Sequence, residues 1–338
     1  MLPFKNKKYL VLAIGGGGDV VSAAVIAKSM EKIGFKTVIG SIAWERFVVD
    51  PMPGPIPLDN IIGCRDISRY ACIVNRDSYA LRGGRKIVFQ AVNVARALNT
   101  EIVVIDIYEG VKGYRRGVES VINYYGLDGV IGVDVGGDVL AYGFEENLWS
   151  PLADALGLAM LNKISDSYLI VHSLGSDGEL PIDYLHKRLS IIAKNNGLLG
   201  ITGFSSETRG ILENILYYAE SEASKISLYA LNGFMGKLGI RRGTRTVEVT
   251  PYSLVSFILD PRIVFGESLV ARVVDKASSF MEARLMLNSI GIYTEYDLEE
   301  DIYSSNIPVE ELTSEAILKI RLEGIKRLRE LVSINDHT

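Results

Sequence analysis

The sequence predicts an α/β fold: a mostly parallel, doubly wound, Rossmann-like sheet with helices on both faces. Short apolar runs, β-branched or aliphatic nearly throughout, recur at residues 9–14, 37–40, 102–107, 130–135, 168–172 and 198–202. Strands covered on both faces read this way, because neither face needs polar side chains. Segments of helical period lie between them, at 20–33, 111–125, 151–162, 182–195 and 206–222. Such alternation implies right-handed crossovers, which leave neighbouring strands parallel. A length of 338 residues, 48% hydrophobic, suits one large or two modest domains. The expected division is an α/β domain over 1–305 and a C-terminal helical tail over 306–338.

The first run leads directly into four glycines and Asp19, and the helix after it is rich in Ala and Val, small enough to lie close to the sheet. Residues 43–85 break the rhythm. Pro51, Pro53, Pro55 and Pro57 alternate there and force an extended path. An irregular insertion is expected, either a cover over an active site or a plain surface loop. The helix at 151–162 has Ser150 in the N-cap position and Pro151 as its first residue. The helix at 182–195 stops at Gly197. Beyond residue 240 come strands at 245–249 and 256–259, then helices near 267–276 and 280–289. A final helix at 314–332 carries Leu318, Leu322, Ile325, Leu328 and Val332 at helical spacing. That stripe docks on the body or on another subunit, which would make a homo-oligomer.

Composition excludes some functions. A net charge of −5 argues against a nucleic-acid binder, which carries a basic surplus, but leaves room for a local pocket for a small anion or nucleotide. Cys64 and Cys72 do not form a Cys-x-x-Cys motif, and two free thiols suit a reducing compartment. Lys5, Lys7 and Lys8 precede an apolar run too short for a signal peptide, and no window approaches the ~20 apolar residues of a membrane span. The expectation is a cytoplasmic protein without membrane contact.

Four segments could carry chemistry. Gly15, Gly16, Gly17 and Gly18, followed by Asp19, leave a strand and open a helix. A loop without Cβ atoms lets a ligand reach backbone N–H groups, and the helix start favours an anion such as phosphate. No Walker lysine follows. Val20 stands where the dinucleotide fingerprint needs its third glycine, and no acidic residue ends the second strand at 40–41, so NAD has little support. The alternative is a tight turn with Asp19 capping the helix. The second segment holds Asp134, Gly136, Gly137, Asp138 and Glu145 after another strand. Asp134, Asp138 and Glu145 are oxygen donors of the kind that hold Mg²⁺ or Mn²⁺. The alternative is that Asp138 caps a helix and Glu145 is solvated. The third segment offers His172 at a strand end, as a general acid–base, a metal ligand or a hydrogen-bonded core histidine. The fourth, around Gly243, offers Arg241 and Arg245 for bidentate capture of phosphate or carboxylate, or as a surface charge cluster.

These motifs occur in combination: Gly-Gly-Gly-Gly-Asp19, Asp134-x-Gly-Gly-Asp138 with Ser150-Pro151-x-x-Asp154, Asp177-Gly178-Glu179-Leu-Pro181, and Arg-x-Gly-Thr-Arg245 followed by Asp260-Pro261. Together they resemble an uncharacterised family, found mainly in archaea, that carries only a domain-of-unknown-function label. The resemblance covers roughly residues 8–300 and implies an intact single domain, with no activity, cofactor or substrate attached. The residues themselves point to a hydrolase or transferase acting on a phosphorylated or nucleotide-like small molecule. The glycine loop, Gly136, Gly137, Arg241 and Arg245 would bind it, a divalent cation would sit among Asp134, Asp138 and Glu145, and Asp19, Asp138 and His172 would do the chemistry. The alternative is a sensor that binds the same ligand without turnover.

Overall fold

Alternate residues of the first strand enter two different cores, and this alternation organises the molecule. The computed structural model describes residues 2–335. In chain order its strands are β1 (Lys8–Ala13), β2 (Lys36–Ile42), β3 (Ile61–Ile62), β4 (Arg65–Ser68), β5 (Ala71–Val74), β6 (Tyr79–Arg82), β7 (Arg85–Ile87), β8 (Ile102–Ile105), β9 (Gly129–Val135), β10 (Ser167–His172), β11 (Leu198–Gly203), β12 (Gly236–Ile240), β13 (Arg245–Val249) and β14 (Val255–Leu259). Its helices are α1 (Val20–Lys32), α2 (Gln90–Leu98), α3 (Gly110–Tyr125), α4 (Pro151–Leu161), α5 (Ile182–Lys194), α6 (Ser206–Tyr218), α7 (Glu222–Leu231), α8 (Pro261–Glu267), α9 (Leu269–Val274), α10 (Phe280–Ser289), α11 (Glu295–Ser304) and α12 (Ser314–Asn335).

Nine strands make one sheet in the order β11-β14-β10-β9-β1-β2-β8-β5-β4. The five central strands, β10, β9, β1, β2 and β8, run parallel. At the edges β14 and β5 pair antiparallel with their neighbours, so the sheet is mixed rather than uniformly parallel. Each of the six predicted apolar runs forms one of its strands. Along β1, Tyr9, Val11 and Ala13 pack with α1, α2 and α6 on one face. Leu10, Leu12 and Ile14 pack with α3, α4 and α10 on the other. That is the period of two expected of a strand buried on both sides.

Three expectations need correction. Residues 43–85 are irregular only in their first part, up to the short 3-10 turn at Leu58–Asn60. β4 and β5 extend the main sheet, and β3, β6 and β7 form a small sheet of their own. The proline-alternating stretch is held by Arg82, which donates to the carbonyls of Pro53, Gly54 and Pro55 at 2.8–2.9 Å and pairs with buried Asp50 at 3.0 Å. Cys64 and Cys72 are joined by a disulfide rather than free. The β4–β5 pairing sets Asp66 opposite Cys72 and brings the two cysteine Cα atoms to 5.9 Å, a proximity that their spacing in sequence hides. Lastly, the docked face of α12 keeps only part of the predicted stripe, with Ile325 and Leu328 packed on the body. Ile317, Arg321 and Gly324 are buried, whereas Leu318 and Leu322 are exposed. Arg321 replaces an apolar contact by stacking over Trp149 and donating to the Leu148 carbonyl at 2.8 Å.

Among the described residues no helix is long and apolar enough to cross a membrane.

Candidate functional site

The parallel strands reverse their order at β1, which lies between β2 and β9. Chains leaving adjacent strands at such a point diverge to opposite faces and open a crevice at the strands' C-terminal edge. A cavity of about 330 Å³ occupies this place. The loop after β1 contributes Gly16, Gly17, Gly18 and Asp19, and the loop after β9 contributes Asp138. The two Gly-Gly-Asp turns therefore converge on one cavity.

Neither aspartate caps a helix. Asp19 occupies the N-cap position of α1 but makes no capping hydrogen bond. Asp138 opens only a three-residue 3-10 turn and makes none either. Asp138 instead meets Asp134 and Asp154, and these three can bring one oxygen each within 4.8 Å of one another. Asp134 is fully buried at the end of β9, and neither of its oxygens has a hydrogen-bond donor. Asp154, on the first turn of α4, is 4% exposed and its Oδ1 has no donor. α4 comes this close because Gly157 lies against Ile14: a Cβ on Gly157 would stand 2.7 Å from the Ile14 Cβ.

Burial, then the charge of Asp138, pushes Asp134 and Asp154 well above the usual carboxylate range. Asp138 rises to about 6 through burial and then Glu179. Asp19 is also raised well above that range, by burial and then by Asp138, against the opposing pull of Arg46 and Arg241. Carboxylates this close repel unless a cation or proton lies among them.

The cavity is lined by six glutamates, and four of them are held there by N–H donors. The N-termini of α1, α2, α4, α7 and α11 all reach the cavity, each with unpaired N–H groups. Glutamates from elsewhere in the chain satisfy several of them. Glu45 accepts from Gln90 N at the start of α2, and Glu295 from Leu152 N and Ala153 N at the start of α4. Glu179 accepts from Trp149 N just before α4. Glu299 accepts from Gly54 N and the Trp44 indole. These glutamates are engaged; the oxygens of Asp134 and Asp154 are not.

Burial pushes Glu45, Glu295 and Glu299 each up to about 7, against the N–H donors and Arg46 that favour their charged forms. The native state therefore keeps protons that the unfolded chain releases near 4.5, and stability is lost as pH rises from about 4.5 through about 7. His172, held down to about 3 by burial, acts in the opposite sense below its ordinary 6.5, one group against these glutamates and the raised aspartates. The melting temperature of the metal-free protein is expected to fall across this window in differential scanning calorimetry. A rise would contradict it.

Arginines surround the glycine loop. Arg46 lies over Gly16, where a Cβ would be 3.2 Å from Nη2, and its buried Nη1 has no hydrogen-bond acceptor, Glu299 standing at 4.0 Å. Arg245 pairs with Glu179 at 3.0 Å and stacks over Trp149, leaving its Nε free. Arg241 lines the cavity from the hairpin between β12 and β13. Burial raises Glu179, but Arg245, Ser150 and the Trp149 N–H outweigh it and hold this carboxylate below its ordinary value.

The chain belongs to DUF1152, a family of proteins of unknown function. The match covers residues 10–303. No curated protein and no solved structure matches the chain.

Other candidate residues fall elsewhere. His172 is fully buried in the core, with Nδ1 paired to Ser256 Oγ at 2.8 Å, Nε2 to Ser227 Oγ at 2.9 Å, and its ring against Phe204. It does not line the cavity, which corrects its assignment as an acid–base. Glu145 accepts from Tyr142 N and Gly143 N and so closes its own turn; Asp154 takes its place beside Asp134 and Asp138. Gly136 and Gly137 do not line the cavity. Both have positive φ, and a Cβ on Gly136 would collide with Asp177 Oδ2 at 2.0 Å.

In the glycine loop, the Gly17 N–H is not free for a ligand, since it donates to the Trp44 carbonyl at 2.9 Å. A Cβ at Gly17 would stand 2.5 Å from Glu45 Oε1, so a larger residue there disturbs packing before it blocks a ligand.

Arg46, Glu45, Glu295 and Glu299 join the site without having been singled out by the sequence, and Asp154, noted there only within a family motif, joins it as well. For Glu45 the signal was present: β2 runs to Ile42 rather than stopping near residue 40, and Glu45 follows it closely.

Proposed function

We propose that this chain is a divalent-metal-dependent hydrolase or transferase acting on a phosphorylated or nucleotide-like small molecule. One observation carries the reading: the donor-free oxygens of Asp134 and Asp154 meet Asp138 beside a glycine loop overlaid by Arg46. Two buried carboxyl groups without partners are costly to ionise, which is why both are raised, and a cation among them stabilises the charged, ligating forms. An all-oxygen set suits Mg²⁺ or Mn²⁺.

Asp134, Asp138 and Asp154 would hold the ion, which supplies Lewis-acid stabilisation of a phosphoryl group or a lowered water pKa. The neighbouring side chains have separate tasks. Arg46, Arg241 and Arg245 bind and neutralise the anionic group. Asp19, raised by burial and then by Asp138, is suited to hold a proton at its carboxylate and pass it on. The strand order β8-β2-β1-β9-β10, with its reversal at β1, supports reading the sheet as doubly wound and Rossmann-like, with a ligand crevice at the reversal.

The test is phosphate release from a panel of sugar phosphates, nucleotides and acyl phosphates, with Mg²⁺ or Mn²⁺ and with a chelator. Release that needs the metal is expected. Ligand-dependent thermal stabilisation with no turnover on any compound would overturn the enzyme reading in favour of a sensor.

A further inference from the structure

The glycine loop does more than border one subsite. Its first residue, Gly15, lies under the Asp19 carboxylate and then Asp154: a Cβ there would stand 2.4 Å from Asp19 Oδ2 and 3.1 Å from Asp154 Oδ1. Gly16 faces the Arg46 guanidinium at 3.2 Å by the same measure. Gly18 faces Ser221 Oγ, also at 3.2 Å. Ser221 is the N-cap of the ten-residue helix α7. Arg241 stands near this end, its backbone N–H bonded to Glu222 in the first turn of α7. Consecutive Cα atoms are about 3.8 Å apart, so four residues carry the loop from a carboxylate cluster to a helix N-terminus.

The far end is charged and under-paired. Arg241 reaches Glu222 only at 3.6 Å and is 37% exposed. It adopts φ +52, a left-handed conformation uncommon outside glycine, as does Arg242 at φ +57. Arg242 has a structural partner, donating to the carbonyls of Val309 and Leu312. Arg241 has no comparable partner. Arg245 and Arg46 line the same cavity, so three like charges repel one another there. An anion between them relieves that repulsion.

Two places along the loop thus attract negative charge. One is the metal with Arg46; the other is Arg241 with the α7 N-terminus. A single phosphoryl group fills one of them.

Resting on the metal-site reading above, we propose that the ligand carries a diphosphate group, one phosphoryl at the metal, Gly16 and Arg46, and the second at Arg241, Gly18 and Ser221. This narrows the substrate class to diphosphate esters or inorganic diphosphate and sets aside simple phosphate monoesters.

The test uses the full chain and a diphosphate mimic that resists hydrolysis. Methylenediphosphonate and orthophosphate are titrated by calorimetry with and without Mn²⁺, in wild type and in Arg241→Asn. Asparagine suits the left-handed backbone, so this variant removes the charge without forcing the turn to change. Wild type is expected to bind the diphosphonate about 10- to 100-fold more tightly than orthophosphate, the effect of one added charge-assisted contact. Arg241→Asn is expected to lose that preference while Mn²⁺ affinity stays unchanged. Equal affinities for the two anions in wild type would overturn the proposal, as would a preference that survives in Arg241→Asn. Mn²⁺ binding read by electron paramagnetic resonance separates this from the metal reading. If Mn²⁺ does not bind, that reading fails, and the metal-free titrations then decide the diphosphate proposal by the same preference and its loss.

Discussion

Replacing Arg82 by alanine is expected to destabilise the protein by about 3–5 kcal/mol, the range for breaking a buried ion pair from one side. Asp50 has no exposed side-chain surface and Arg82 only 7%, so neither is rescued by water. The loss is larger than one pair. The same guanidinium satisfies the carbonyls of Pro53, Gly54 and Pro55, and the proline alternation gives this stretch few N–H groups for bonding of its own. Urea unfolding of Arg82→Ala against wild type measures it, and a loss under about 1 kcal/mol would show that Asp50 is neutral or solvated. The effect reaches the cavity. Gly54 N donates to Glu299, which faces Arg46, so a released loop unseats one wall of the site.

Asp138→Asn is expected to lower metal-dependent turnover by at least ~10²-fold, the scale of losing a preorganised electrostatic contact in the transition state. Size and hydrogen-bonding capacity are kept, and only one charge is removed. Without metal the same change is expected to raise the melting temperature, because it relieves repulsion with Asp134 and Glu179. Opposite signs for activity and metal-free stability separate a ligand from a structural residue. Had Asp138 been a helix cap, asparagine would have left both nearly unchanged.

The sheet was legible wherever burial alone set the pattern. β1, β9 and β10 are apolar nearly throughout because both their faces are covered, and such runs read directly. α2 was not legible. Its N-cap residue is Phe89, which supplies no capping group, and the N–H group at its start is satisfied by Glu45 from another part of the chain. A helix capped from a distance leaves no local start signal. By contrast α11 carries a capping box in Thr294 and Asp297, a signal present in the sequence.

For the site, strand ends and glycines located the cavity, and Asp19, Asp134, Asp138, Arg241 and Arg245 were readable from them. Glu145 and Asp154 could not be told apart by sequence. Both follow the second turn, and only the close seating of α4 on Ile14 at Gly157 places Asp154 beside Asp138. His172 was misread because a strand end looks the same whether it faces the cavity or the hydroxyls of Ser227 and Ser256.

Titration of Mn²⁺ followed by electron paramagnetic resonance, in wild type and in Asp138→Asn, tests the metal site most directly. Changing a residue that only supports a metal ligand weakens affinity about 10- to 100-fold, and a ligand itself matters at least as much. Wild type is expected to bind one Mn²⁺, and Asp138→Asn to bind it at least ~10-fold more weakly. Equal affinity in the two proteins, or no binding in either, would contradict a metal centre at Asp134, Asp138 and Asp154.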